Sequence, residues 1–273
     1  MPESAIATLA PVAGLDVSLS DGVLSVTIDR PDSLNSLTTP VITGLADTME
    51  RAATDPAIKV VRLGGAGRGF CSGAGISADD MSGSGGVSPD EIVLEINRLI
   101  WAITVLPHPV VAVVQGPTAG VGVSLALACD VVLASDKAFF MLAFTKIGLM
   151  PDGGASALVA AAVGRIRAMQ MALLPERLPA EQALSWGLVS AVFPHDDFVS
   201  EVDKVIARLV AGPVVAFTKT KLAINAATLT EVDPALQREF DGQAVLLRSP
   251  DLREGATAFQ QRRTPNFTDS LHA

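Results

Sequence analysis

Leu24, Val26 and Ile28 alternate with polar neighbours in VLSVTID, a period of two that predicts a half-buried strand, ended by Arg30-Pro31-Asp32. Thr39 followed by Pro40 then predicts an N-cap with proline at the first helical position. Ile42, Leu45, Met49 and Ala52 recur behind it at helical spacing. The apolar run KVVRLGG is too short for a helix and closes on glycine, so it predicts another strand. The alternation continues with a helix from about Pro89 to Val105, a strand in VVAVV, a short helix after Gly122 and a strand in VVLA. Strands and helices alternating in this way predict an α/β fold. From His195 onward the pattern is helical, in EVDKVIARLV, FTKTKLAINAA, LQREFDGQAVLL and DLREGATAFQQRR. Several of these segments have an apolar face too wide for a lone surface helix, which predicts burial against a neighbouring subunit. The chain therefore divides into a core of residues 1–194 and a helical oligomerisation region of residues 195–273. No internal sequence repeat is visible.

Length and composition narrow the classes. A chain of 273 residues fits one large core with a smaller C-terminal part. The most apolar stretch, residues 110–133, is interrupted by Gln115, Pro117 and Asp130, so no transmembrane helix is predicted. The first basic residue is Arg30, which leaves the N-terminus without the basic character of a signal or transit peptide and makes the cytoplasm the expected location. Cys71 and Cys129 lie in apolar surroundings, which suits buried thiols better than a disulfide. The net charge of −9 argues against a nucleic acid or an anionic membrane as partner. A polyphosphate ligand would have to be held locally, by Arg30, Arg62, Arg68 or the adjacent Arg262 and Arg263. His108, His195 and His272 are scattered and predict no metal site. GGAGRG at residues 64–69 does not fit the dinucleotide fingerprint, and no phosphate-loop motif is present. Trp101 and Trp186 fall on helical apolar faces and are expected in the core. Residues 77–89, rich in Gly, Ser and Asp, are expected to form a loop that either links elements or covers a ligand site.

Two segments carry chemistry. GRGFCSGAGI (residues 67–76) and QGPTAGVGVSLALACD (residues 115–130) each hold a glycine-relaxed turn able to aim a backbone N–H at one oxygen, with no side-chain nucleophile beside it. That combination points to stabilisation of an oxyanion, not to covalent attack. Ser124 is no nucleophile either, because GVSLA lacks the G-x-S-x-G elbow and no histidine lies in a motif; a helix-interior serine bonds back to the main chain. Asp152, in Met-Pro-Asp-Gly-Gly, reads by itself as a turn and helix N-cap.

These segments resemble the crotonase (enoyl-CoA hydratase/isomerase) superfamily, and the resemblance extends from about Gly22 to Phe267. It implies a spiral of repeated ββα units with a C-terminal helical trimerisation region, and trimers often paired into hexamers. It also implies an acyl-CoA thioester as substrate, with coenzyme A arriving as part of that substrate and no permanently bound cofactor. The first oxyanion donor would be the N–H of Ala74, and the second that of Val121, where the family usually has glycine. Counted from Cys129-Asp130, the two glutamates that activate water in hydratases fall on Ser124 and Phe144, neither of which is a base. KIGLMPDGGAS and GRIRAMQMALLPERLPAEQALSWG are instead similar to the Δ3,Δ2-enoyl-CoA isomerases and the phenylacetate-pathway epoxyphenylacetyl-CoA isomerases, which makes Asp152 the group that moves the proton. The resemblance further assigns Phe259 and Arg262 to the adenine and phosphates of coenzyme A, and the Asp32, Ser33, Leu34 and Ile76 stretches to its groove. Gly75 stands where the family commonly has an acid. Phe139, Phe140, Met141 and Phe144 are expected around the acyl group. The expected activity is double-bond or ring-epoxide isomerisation. The alternatives are a hydratase using Asp152 with another partner and a catalytically silent acyl-CoA-binding subunit.

Overall fold

A computed structural model describes residues 6, 9–75 and 88–270. Strands β1 (Leu15–Ser20) and β2 (Val23–Ile28) form an antiparallel hairpin. Asp21 and Gly22 turn it with φ of 51° and 83°, the positive pair that matches the twist of the flanking strands. Next to β2 lie β3 (Val60–Gly65), β4 (Val110–Val114), β6 (Val131–Ser135) and β9 (Ala191–Phe193), all parallel, in the order β1-β2-β3-β4-β6-β9. Parallel pairing needs long crossovers, and helices supply them. Every residue of β4 is buried, as its unbroken VVAVV run requires of a strand covered on both faces.

A second sheet contains β5 (Pro117–Ala119), β7 (Phe139–Met141) and β8 (Leu178–Pro179). Single bridges, Cys71 to Thr118 and Leu37 to Ala74, extend its pairing toward earlier parts of the chain. After β4 the chain therefore lays β5 in the small sheet and enters α3 (Val121–Ala128); after β6 it lays β7 there and reaches α4 (Ala155–Leu173). This is the ββα spiral that the resemblance implied.

Helix α1 (Thr39–Ala52) buries Ile42, Leu45, Met49 and Ala52 completely, so its stripe is the predicted one. Its N-cap is Thr38 in place of Thr39, with Pro40 in the first turn. Helix α2 (Pro89–Val105) starts in a capping box, with Ser88 Oγ accepting from Glu91 N–H and Glu91 accepting from Ser88 N–H. Residues 77–87 of the expected loop lie outside the described residues. Trp101, expected in the core, is 48 % exposed on α2. Among the described residues no helix is long and apolar enough to cross a membrane.

After α5 (Ala180–Trp186) come α6 (Phe198–Val210), α7 (Val214–Thr228), α8 (Val232–Leu246) and α9 (Pro250–Gln260). They are joined to the core chemically as well as by apolar burial. Phe198, Val202 and Ile206 of α6 pack on Val60, Val111, Val113 and Leu133 of the large sheet. Helix α7 is held by polar groups on one face: Thr218 donates to Pro107 O at 2.8 Å, Asn225 to Thr104 O at 3.0 Å, and Lys221 pairs with Asp130 at 2.8 Å. Lys221 is the one buried residue of α7, while Val215 and Ile224 on the same helix stay exposed.

Candidate active site

The small sheet brings the two predicted turns together. Cys71 pairs in parallel with Thr118, and the Ala119 N–H donates to Cys71 O at 2.9 Å. Two residues further along each segment stand Gly73 and Gly120, with φ of 97° and 55°. A Cβ on Gly73 would lie 3.0 Å from Ala119 O and 3.5 Å from Val121 N, so the turns touch through backbone alone. Only glycine combines that conformation with that approach. Leu37 N–H donates to Gly73 O at 2.8 Å and Gly75 N–H donates to Leu37 O at 3.0 Å. In a parallel bridge those bonds belong to the neighbours of Ala74, so the N–H of Ala74 itself points to the other side. Val121 is the first residue of α3, and its N–H has no acceptor inside the helix. Two donors thus sit on adjacent segments, the second at a helix N-terminus whose dipole favours negative charge. Cys71 is no rival nucleophile: burial pushes its thiol up to about 12.

Asp152 is 6 % exposed and sits in the strap of residues 150–154 that leads into α4. It is not the N-cap that its local sequence suggests; Gly154 occupies that position, with φ of 76°. The strap lies on the start of α3, since a Cβ on Gly153 would be 3.2 Å from a Val121 methyl and 3.3 Å from Ser124 Cβ. Ser124 Oγ donates to the Asp152 carbonyl at 2.7 Å, a bond to another segment and not back into its own helix. Two residues of α8 complete the surroundings. Gln243 Nε2 donates to Asp152 Oδ2 at 2.7 Å, and Glu239, fully buried, accepts from Gly154 N–H at 2.6 Å and Ser156 N–H at 2.8 Å. Asp152 Oδ1 has no hydrogen-bond partner among the described residues. Burial raises the Asp152 carboxyl to about 7, against the Gln243 hydrogen bond, and the nearby Glu239 adds to the rise. Burial raises Glu239 as well, opposed by hydrogen bonds from the Ser156 side chain and from the N–H groups of Ser156 and Gly154.

Gln243 and Glu239 were not found from sequence. Their signal, a glutamate and a glutamine four apart in LQREFDGQAVLL, is that of any helix face. The predicted coenzyme A residues are brought together only in part. Asp32 and Ser33 lie in the 3₁₀ turn Pro31–Ser33 and Leu34 follows it. Ser72, beside the first donor turn, bonds to Ser33 O at 2.9 Å through its hydroxyl and to Leu34 O at 3.0 Å through its N–H. Phe259 and Arg262 lie at the end of α9, both exposed, and no hydrogen bond among the described residues joins them to that turn. Ile76 lies outside the described residues. Phe144 is buried in the 3₁₀ turn Ala143–Ile147, its ring tip 4.0 Å from where a Gly120 Cβ would be. Phe140 is fully buried in the main core.

A protein-family model described as enoyl-CoA hydratase/isomerase matches residues 18–270. The chain belongs to the enoyl-CoA hydratase/isomerase family. Within that family it is 37 % identical over 250 residues to the 1,2-epoxyphenylacetyl-CoA isomerase of Escherichia coli, covering 90 % of this chain and 95 % of that one. It is 38 % identical over 250 residues to a probable enoyl-CoA hydratase of Rhodobacter capsulatus, covering 92 % and 96 %. Among solved structures, an enoyl-CoA hydratase from Mycobacterium avium subsp. paratuberculosis is 80 % identical and superposes with a TM-score of 0.90 over 95 % of this chain and all of that one. The relatives thus carry both isomerase and hydratase names.

Proposed function

We propose that this member of the enoyl-CoA hydratase/isomerase family isomerises a double bond, or a strained ring, next to an acyl-CoA thioester. The N–H groups of Ala74 and Val121 would receive the thioester oxygen as negative charge develops on it. Asp152 would take a proton from one carbon and return it to another, which needs one carboxylate and no activated water. The observation that carries the reading is the Asp152 carboxyl itself, buried on the strap against the second donor helix with one oxygen unpartnered among the described residues. A carboxyl near 7 is matched to both halves of a proton shuttle at neutral pH. The hydratase positions support this over hydration. Ser124 is bonded to the strap and Phe144 puts an aromatic ring near Gly120, so neither holds a water for attack.

Coenzyme A would enter as part of the substrate, along Asp32, Ser33 and Leu34, with Ile76, Phe259 and Arg262 completing its groove. The exposed apolar residues of α7 suit the proposed contact with further copies of the chain, as a trimer or a pair of trimers in the cytoplasm. The testing experiment is hydrogen exchange into butyryl-CoA and phenylacetyl-CoA in heavy water, which reports enolate formation without the natural acyl group. Asp152→Asn should abolish exchange while binding survives; exchange at the parent rate would sink the assignment. Tight binding of both thioesters with no exchange in the parent protein would favour the silent binding subunit.

A further inference from the structure

Gln243 lies on the face of α8 turned to the strap, one helical turn after Glu239. Gly242 lets the helix come close, because a Cβ there would be 2.2 Å from Met150 Sδ. The Gln243 carboxamide nitrogen meets two acceptors, Met150 O at 3.0 Å and Asp152 Oδ2 at 2.7 Å. Reversing the amide would set its oxygen against both, so the donor end faces the strap. This two-pronged bond fixes the carboxylate plane and occupies Oδ2. Oδ1 remains buried without a partner among the described residues.

The other groups around Asp152 do not compete for it. From α8, Glu239 spends its oxygens on Gly154 and Ser156 N–H, and Arg238, which lowers Glu239 slightly, pairs with Glu231. From α3, the Ser124 hydroxyl is committed to the Asp152 carbonyl. From α2, the Ile96 and Ile100 side chains, both apolar, reach the strap beside Gly153 and Gly154. A proton placed on Oδ2 would weaken the bond that this oxygen accepts, whereas one placed on Oδ1 costs no existing bond.

We propose that Gln243 is a positioning residue for Asp152: by engaging Oδ2 it makes Oδ1 the oxygen that takes a proton from the acyl chain and returns it. In that exchange the C–H electron pair passes into the thioester enolate, and a new C–H bond forms at the second carbon as Oδ1 gives the proton back. This rests on the reading of Asp152 as acid and base.

The test follows the Asp152 carboxyl directly, by ¹³C NMR of the full chain labelled at aspartate carboxyls, with its resonance assigned by its loss in Asp152→Asn. Gln243→Leu removes a bond made to the charged form, so the titration midpoint should rise from about 7 by ~1 unit or more. Gln243→Asn, which withdraws the amide but stays polar, should move it the same way and serves if the leucine variant does not fold. In exchange of butyryl-CoA, the rising limb of the rate against pH should shift with the midpoint. A midpoint unchanged in both variants overturns the proposal, since a purely structural glutamine would lower stability and leave the midpoint in place. Failure of the underlying reading is seen separately, as exchange that persists in Asp152→Asn.

Discussion

Ser124 and Asp152, 28 positions apart, are joined by a 2.7 Å hydrogen bond from the serine hydroxyl to the aspartate carbonyl. The serine stands where the resemblance placed a water-activating glutamate in hydratases. Here that position carries no base, and its role is to fasten the strap that bears the carboxylate. The same small side chain leaves room for Gly153, whose nearest approach is to Ile96, Val121 and Ser124. A glutamate at position 124 would have to fill space that the strap occupies.

Ser124→Ala should therefore leave the Asp152 carbonyl with only its longer, 3.3 Å bond from Ala155 N–H and cost about 1 kcal/mol of stability, measured by urea unfolding. Exchange of butyryl-CoA should slow as Asp152 loses its fixed place. A variant with parent stability and parent rate would show that the strap is held without this bond.

Asp152→Asn should change stability in a pH-dependent way. Between the ordinary value of 3.8 and about 7 the folded chain keeps a proton that the unfolded chain releases. Stability then falls as pH rises through that window, and the asparagine variant escapes the loss. Relative to the parent it should gain little at pH 4 and about 2–4 kcal/mol by pH 8. Unfolding midpoints of both proteins at pH 4, 6 and 8 would check this; a difference that stays flat with pH would contradict the raised carboxyl.

Glu239→Leu should be destabilising, because it strips the acceptors from the buried Gly154 N–H and the part-buried Ser156 N–H at the start of α4. Each unpaired donor costs about 1–3 kcal/mol, so thermal unfolding should drop by many degrees. Glu239→Gln keeps one acceptor oxygen and should lose less; equal losses in the two variants would point to packing in place of hydrogen bonding.

Gly73→Ala should damage the donor pair. Its φ of 97° and the 3.0 Å approach to Ala119 O leave no strain-free place for a methyl group. The backbone strain should cost about 1–3 kcal/mol. Displacing one donor should slow exchange by about 10²- to 10³-fold. Parent exchange kinetics in this variant would mean that Ala74 does not serve as a donor.

Lys221→Met should be costly although none of its hydrogen-bond partners belongs to the strap. It would leave the largely buried Asp130 carboxylate without its 2.8 Å partner and free α7 from Ile103 O and His108 O. The expected loss is about 3 kcal/mol, read from urea unfolding, and Asp130→Asn in the same background should recover part of it. No recovery would show that the lysine acts through its carbonyl bonds alone.

Local order determines much of this protein. Alternation in VLSVTID, the helical stripe of Ile42, Leu45, Met49 and Ala52, and the unbroken VVAVV run each bury one kind of face, so element type was legible in the chain itself. The glycines at 73 and 120 and the acid at 152 were legible for the same reason: a left-handed turn and a lone carboxylate are properties of single positions. The hairpin strand β1 alternates just as strictly in LDVSLS, half-buried and exposed in turn, so it was equally legible although it is not among the strands expected above. The register of Cys71 on Thr118, which sets Gly73 beside Gly120, was decided by the tertiary structure. So was the docking of α8, which carries Glu239 and Gln243 across more than 80 residues to the Asp152 strap. Trp101 and the polar pinning of α7 belong with them. Such contacts join segments whose spacing obeys no period, and only packing, with burial forcing every polar group to find a partner or go without, fixes which of them meet.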